Sequence, residues 1–452
     1  MIPDPLGRRA FLTTAAVGLA GCGVRTGADV TPTDSPTASP TDSPSPTPRD
    51  YDLTLAHDET TWSGYDPEWT APATNPEGSL AVDVLVENLE IPWDLSFASN
   101  GDLFVTERTG RVLRYREGEV VGAVEPADAI DAGAVAPGSD ERTWFVKGGE
   151  GGTMGVAVHP AYPEPPVVYV YYTVETDDGL RNRLAYVDMA AEDVGATART
   201  LLEVPAGTIH NGGRIAFGPA NYLWVTCGDT GEASLGRDGG SLAASVLRVT
   251  PEGDPAPNNG GLDAPEAFTM GHRNPQGITW LPDATPVAPE HGPGPDEVNR
   301  LVAGGDYGWP EARQADEYEG TGYRRPVASS LIERTTWAPS GGVFYTGSVA
   351  PLANRLLVGC LASQRLKVFT LTPPDGDLPP LGDTGTRHDA AWLDDAYTAT
   401  SHDVLVNELG RIRHVEQGPD GTLYAITSNR DGRASGEFPL ERDDVLVRIS
   451  AA

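Results

Sequence analysis

Lysine is almost missing from this chain: of 452 residues only Lys147 and Lys367 are lysines, and all 32 cations together face 65 carboxylates. The formal charge of −33 excludes nucleic acid as a partner, because a phosphate backbone is bound by a basic face. Arginine in place of lysine, combined with the acid excess, points to salt-rich surroundings. Cysteine is scarce too, with three in the chain. No histidine or cysteine stands at zinc spacing beside Cys227 or Cys360, which removes a structural zinc site, and their apolar strand-like settings make them buried thiols before a disulfide. There is no Walker loop, no Gly-x-Ser-x-Gly elbow and no His-Glu-x-x-His, and Gly149-Glu150-Gly151-Gly152 lacks the strand and helix context of a dinucleotide loop. A disordered acidic chain is excluded by the 39% of hydrophobic residues, which recur in short regular runs.

What is present begins with an export signal. Arg8-Arg9 precedes the apolar run Leu12 to Ala20, which is too short to span a bilayer as a mature helix, so residues 1–21 read as a twin-arginine signal peptide. Leu19-Ala20-Gly21-Cys22 resembles a lipobox, which would lipidate Cys22. The protein is then expected at the extracellular face of the cytoplasmic membrane, held by its lipid anchor alone, or secreted if the box is not used. Residues 22–50 collapse into Thr, Ser, Pro and Asp, a disordered linker that buries nothing. Residues 51–80 form an N-terminal extension.

From residue 81 to residue 452 helical periodicity nearly vanishes and one unit recurs: a short apolar strand, a Pro/Gly/Asn/Asp turn, and a second apolar strand. Copies run from Trp93-Asp94-Leu95 to Leu103-Phe104-Val105, from Gly155-Val156-Ala157 to Val167-Val168-Tyr169, and from Gly213-Arg214-Ile215 to Leu223-Trp224-Val225. Weaker ones begin at Gly277, Gly342 and Val415. Six units of roughly 60 residues suit four-stranded blades with long loops. The expected fold is all-β, a six-bladed β-propeller of four-stranded antiparallel blades, since closed radial packing leaves few exposed edges. A pair of β-sandwiches is the competitor, and the irregular 300–340 stretch leaves the blade count open by one. Chemistry is then expected on the loops at one end of the central channel.

Four segments there could carry it. His210, in His210-Asn211-Gly212-Gly213-Arg214, precedes a strand, and Asp229 follows in Cys227-Gly228-Asp229; a loop histidine oriented by a carboxylate can serve as a general base. Read alone, His210 is a turn residue before it is a catalyst. Gly271-His272-Arg273-Asn274-Pro275-Gln276-Gly277 packs hydrogen-bonding groups into a rigid turn, either to aim Arg273 at an anion or to cap carbonyls. Glu290-His291-Gly292-Pro293-Gly294-Pro295-Asp296-Glu297 and Asp306-Tyr307-Gly308-Trp309-Pro310 interleave carboxylates with turn residues, as hard cations prefer, although such loops are common in acidic proteins. Arg411-Ile412-Arg413 alternates on a strand, so both guanidiniums share a face, for anions or for neighbouring acids.

In this order these motifs resemble the soluble pyrroloquinoline quinone (PQQ) dependent glucose and aldose sugar dehydrogenases, the glucose/sorbosone dehydrogenase family, over about residues 84 to 449. The resemblance implies oxidation of an aldose at its anomeric carbon to the lactone, with hydride passing to PQQ. It implies His210 as the base, Asp229 as its support, Arg273 as the group that steadies charge on the quinone oxygen, and Asn274 and Thr336 as cofactor contacts. Arg411 and Arg413 match arginines that pair with the cofactor's carboxylates. Gly292 and Pro293 match carbonyls that hold the calcium polarising PQQ, and Glu297 and Tyr307 match ligands of a second, structural calcium. The sugar is the implied substrate, with the electron acceptor open between a membrane quinone and a redox protein.

Three departures stand out. Glu150 occupies a cofactor-side position where the family has glutamine, and a carboxylate near His210 would raise the pKa of the base. Ile209 replaces an acidic residue, which removes the expectation of glucose specificity. A lysine that some members use for a PQQ carboxylate is replaced near Ala362, so affinity falls unless another cation compensates. Two other readings stay open: a non-enzymatic propeller binding carbohydrate or protein, and a calcium-dependent propeller lactonase, which needs side-chain metal ligands clustered in the central channel. Geometry separates them, because a dehydrogenase requires His210, Arg273, Gly292, Arg411 and Arg413 to converge on a pocket for a flat tricyclic cofactor.

Overall fold

A computed structural model describes residues 49–132 and 149–452. The expected signal peptide, Cys22 as the expected site of lipidation, nearly all of the expected linker, and Lys147 lie outside the described residues. Six small sheets follow one another along the chain. Blade one is built from Pro92–Phe97, Leu103–Glu107, Arg111–Arg116 and Glu119–Val124, and blade two from Thr153–Val158, Val167–Thr176, Gly179–Asp188 and Arg199–Pro205. Blades three to six open with Ile215–Phe217, Thr279–Trp280, Pro339–Tyr345 and Ile412–Gln417. The opening strands line the axis, those of blades six, one, two and three packing side by side, as do those of four, five and six. The unit that recurs in the sequence is therefore the innermost strand with its hairpin partner, in registers such as Leu95 opposite Val105, Ile215 opposite Val225 and Val415 opposite Ala425.

Blades stack face to face, so inner strands bury both faces and lose polar alternation. The run Val167 to Val174 is buried throughout. Tyr169, Tyr171 and Leu184 of blade two interlock with Leu223, Val225 and Leu247 of blade three, and Leu357, Leu366 and Val368 of blade five with Val415, Leu423 and Val447 of blade six. Cys227 is free and buried in the first of these walls, and Cys360 is free and buried between blades four and five, with Val287, Val298 and Leu356.

Two blades depart from the expected four strands. Blade three gains Gly305–Asp306, paired in parallel with Ala267–Met270, because the chain leaving blade four folds back and Gly304 donates to the Phe268 carbonyl at 2.8 Å. Blade five gains Thr386–His388 beside Thr398–Val404. The irregular 300–340 stretch thus bridges blades rather than adding one.

The ring closes with Leu80–Val86, which pairs antiparallel with the C-terminal strand Leu446–Ala451 as the outer strand of blade six. Before it, the extension is a strap across the end where the inner strands finish. Leu53 is buried against blades two and three, His57 stacks on Tyr222 at 4.1 Å, Asp66 donates its N–H to the Pro282 carbonyl, and Trp69 meets Phe344 edge-on. Among the described residues no helix is long and apolar enough to cross a membrane.

Candidate functional site

The opposite end, where the inner strands begin, gathers the polar segments. His210 lies just before the first strand of blade three with φ of +54°, a left-handed conformation that a non-glycine residue adopts only when held. Two bonds hold it: its N–H donates to Glu150 Oε2 at 2.8 Å and its carbonyl accepts from Thr230 at 3.1 Å. The ring is fixed on both sides. Nδ1 donates to Asp229 Oδ1 at 2.7 Å, and Nε2 accepts from the Arg273 guanidinium at 2.8 Å. Trp309 completes the circuit, donating its indole N–H to Asp229 Oδ2 at 2.9 Å while Arg273 lies over its ring at 5.7 Å. This leaves the imidazole neutral, with its lone pair on the nitrogen that faces a guanidinium.

Beside this network is a cavity of about 240 Å³ lined by Trp93, Glu150, Gln276, Thr336 and four arginines, Arg108, Arg411, Arg413 and Arg433. Asp431 bonds Arg411 at 2.7 Å and lies 3.4 Å from Arg413, while Glu150 bonds Arg433 at 2.9 Å. Among the described residues four guanidiniums stand against two carboxylates, a positive surplus inside a strongly acidic protein. Burial opposes the charge of Arg413, pushing it down to about 9, and its Nε makes no hydrogen bond. Burial pushes Arg108 down to about 10, although it is well anchored, donating to the Gly149 and Gly151 carbonyls at 2.7 and 2.9 Å. Burial also opposes the Glu150 charge, but Arg433 and the His210 N–H outweigh it and hold that carboxyl down to about 2. Desolvated cations with an orphaned donor suit a compact polyanion. PQQ, with three carboxylates, fits that donor set.

A second, smaller space lies behind Arg273, lined by Glu290, Gly292, Pro293, Glu297, Tyr307 and Trp309. The loop is tight: a Cβ on Gly292 would run into the Pro295 carbonyl. Asp296 winds it, accepting from the His291 ring, the Gly292 N–H, the Thr336 hydroxyl and the N–H groups of Trp337 and Ala338. Glu290 and Glu297 face each other across adjacent strands, an arrangement that like charges disfavour. Burial and the Glu290 charge push Glu297 up to about 8, and the buried Asn299 Oδ1 accepts no hydrogen bond. The Gly292 and Pro293 carbonyls also accept none from the described residues. An oxygen-seeking cation fits these donors.

The sequence-predicted residues thus fall at one end of the axis, with different stations. Arg411, Arg413, Thr336 and Glu150 line the large cavity; Gly292, Pro293, Glu297 and Tyr307 line the small one; Arg273 joins them, bonding His210 and the His291 carbonyl. Asn274 lies beneath, fully buried, where its Oδ1 accepts the Gly212 N–H and its Nδ2 reaches Glu150 at 3.5 Å. The Tyr307 hydroxyl is engaged by the Arg300 carbonyl and Val302 N–H, with its ring stacked on His272. Glu150 meets the His210 backbone rather than its ring. Ala362 lines the cavity with no cation of its own, and Arg108 and Arg433 bring cations to the same cavity. Sequence reading missed Arg108, Arg433, Asp431 and Trp309. Only Trp309, inside a motif already singled out, carried a local signal.

The central channel behind the cavity is filled by the Arg214 guanidinium, which stacks on Trp93 at 4.2 Å and pairs with the fully buried Asp94. A cation stands where a channel metal would need a cluster of anions.

Comparison with known proteins agrees in one direction. The family model for glucose/sorbosone dehydrogenase matches residues 89–440. Aldose sugar dehydrogenase YliI of Escherichia coli is 27% identical over 80% of this chain and 93% of its own. Quinoprotein glucose dehydrogenase B of Acinetobacter calcoaceticus is 26% identical over 55% of this chain and 56% of its own. The PQQ-bound structure of an aldose sugar dehydrogenase from Streptomyces coelicolor superposes with a TM-score of 0.63 at 29% identity, covering 85% of this chain and all of that one.

Proposed function

The chain belongs to the glucose/sorbosone dehydrogenase family, and from that premise we propose that it is a PQQ-dependent aldose dehydrogenase oxidising the anomeric carbon to the lactone. One observation carries the reading: a cavity with surplus guanidinium charge directly adjoins a histidine whose ring is oriented by a carboxylate. Bound PQQ would supply the two-electron acceptor for the hydride leaving the anomeric carbon, a capacity that protein side chains lack. Calcium held by the Gly292 and Pro293 carbonyls would supply Lewis acidity.

The protein's own part is position and charge. His210 Nε2 takes the proton of the anomeric hydroxyl, which displaces the Arg273 guanidinium from that nitrogen. Asp229 keeps the proton on Nδ1 before the step and stabilises the imidazolium after it. Arg273, released from His210 and still tied to the His291 carbonyl, turns its charge toward the oxygen that becomes negative. Arg411, Arg413, Arg108 and Arg433 take the cofactor's carboxylates, and Trp93 offers a flat wall. Exported, lipid-anchored placement in brine, with electrons passed to a membrane quinone or redox protein, completes the proposal.

The test is His210→Ala, followed by PQQ titration and steady-state kinetics. We expect kcat to fall by roughly 10²- to 10⁴-fold, as for loss of a general base, with PQQ affinity within about twofold. Retained turnover would remove His210 from this role.

A further inference from the structure

At the far end of the axis, beyond Arg214, lies another cavity of about 260 Å³, walled by Trp62, Phe97, Phe217, Trp280 and Phe344, with Glu416 at its head. Among the described residues no arginine, lysine or histidine lines it. Its Thr279 hydroxyl is spent on the Phe344 N–H at 2.9 Å, and the Gln417 amide on Thr346. Glu416 remains, with 31% of its side chain exposed to the space. One of its oxygens accepts the Gln417 N–H at 3.0 Å, and the other lies 3.4 Å from His414 Nε2. The charged or titratable groups packed toward it are Asp94 from blade one, Arg214 from blade three and His414 from its own strand, whose proton affinity burial lowers. Asp94 and Arg214 neutralise each other.

We propose that this cavity binds a small organic ammonium ion, with the aromatic walls around the cation and Glu416 as its counter-ion. Aromatic faces present negative charge to a cation and favour weakly hydrated alkylammonium groups. A strongly hydrated inorganic ion gains little from such walls. An anion would meet Glu416, and a neutral apolar guest would leave that carboxyl desolvated. Burial pushes Glu416 up to about 8, opposed by the Gln417 N–H, so at pH 7 an arriving cation ionises it. The site stands at the opposite mouth from the arginine cavity and does not depend on the sugar-oxidising reading.

Isothermal titration of the purified full chain tests it, with choline against 3,3-dimethylbutan-1-ol, its uncharged analogue, at pH 7 in two buffers of different ionisation enthalpy. We expect one choline per chain with nearly one proton released, the alcohol binding about tenfold more weakly, and Glu416→Gln losing about tenfold in choline affinity. Trp62→Ala, on the strap, should weaken choline severalfold and serves if the first variant fails to fold. Absence of choline binding, equal binding of the alcohol, no proton release, or an equal response to sodium chloride would each overturn the proposal.

Discussion

At the scale of single residues the site turns on Glu150. Its two oxygens tie Arg433 of the blade-six loop to the backbone of His210, so one carboxylate both offsets a cation of the pocket and holds the candidate base in its left-handed conformation. Glu150→Gln keeps an acceptor for the His210 N–H but removes the negative charge that Glu150 sets against Arg433. We expect PQQ binding, followed by fluorescence quenching, to tighten roughly three- to tenfold, with kcat little changed. Glu150→Ala removes both bonds, and kcat should fall while PQQ affinity still rises. Weaker binding of PQQ by the glutamine variant would contradict this division of labour. His210, Arg273, Arg411 and Arg413 were legible because each stands in a dense local motif. Arg108, Arg433 and Asp431 were not, since each is one polar residue in an ordinary turn and acquires meaning only when blades one and six close against each other.

At the scale of elements, the six inner hairpins could be read because burial on both faces leaves continuous apolar runs broken by turn residues. The fifth strands of blades three and five escaped, being two or three residues long and fixed by partners distant in sequence. The facing carboxylates of Glu290 and Glu297 belong to this scale too, since hairpin register sets them opposite each other. Glu290 and Glu297 were both singled out in one loop, but their facing arrangement and the orphaned Asn299 oxygen needed the folded strands to be seen. A divalent cation bound between the strands would remove their repulsion. Calcium should therefore raise the melting temperature by about 2 to 4 °C, with a chelator reversing the gain. Glu297→Gln should abolish the calcium-dependent part; an equal calcium shift in that variant would remove the site.

At the scale of the whole molecule, acidity governs two responses. Glu416 is held up to about 8 from an ordinary 4.5, so between these values the folded chain keeps a proton that the unfolded chain has released, and stability falls as pH rises. Asp444, pushed by burial up to about 7, adds to that fall. His414, held by burial well below 6.5, acts oppositely, because the unfolded chain takes a proton that the folded one refuses. Below about pH 6.5 His414 cancels only one of these two falls, so a net decline remains there, and from 6.5 to 8 the declining limb of Glu416 runs without that opposition. Denaturant melts should show Glu416→Gln gaining roughly 2 kcal/mol on the parent across that limb; parallel profiles would contradict it. The other response concerns the cofactor. A trianion approaching a chain of charge −33 is repelled until salt screens the field to a few ångströms, after which the local arginine surplus takes over. The most direct measurement of the central claim is therefore aldose-dependent reduction of an artificial electron acceptor by the purified chain, reconstituted with PQQ and calcium in strong brine. The account predicts turnover that requires both PQQ and aldose and is lost in Arg411→Ala/Arg413→Ala; a chain that binds no PQQ under those conditions, or binds it without oxidising any aldose, would contradict it.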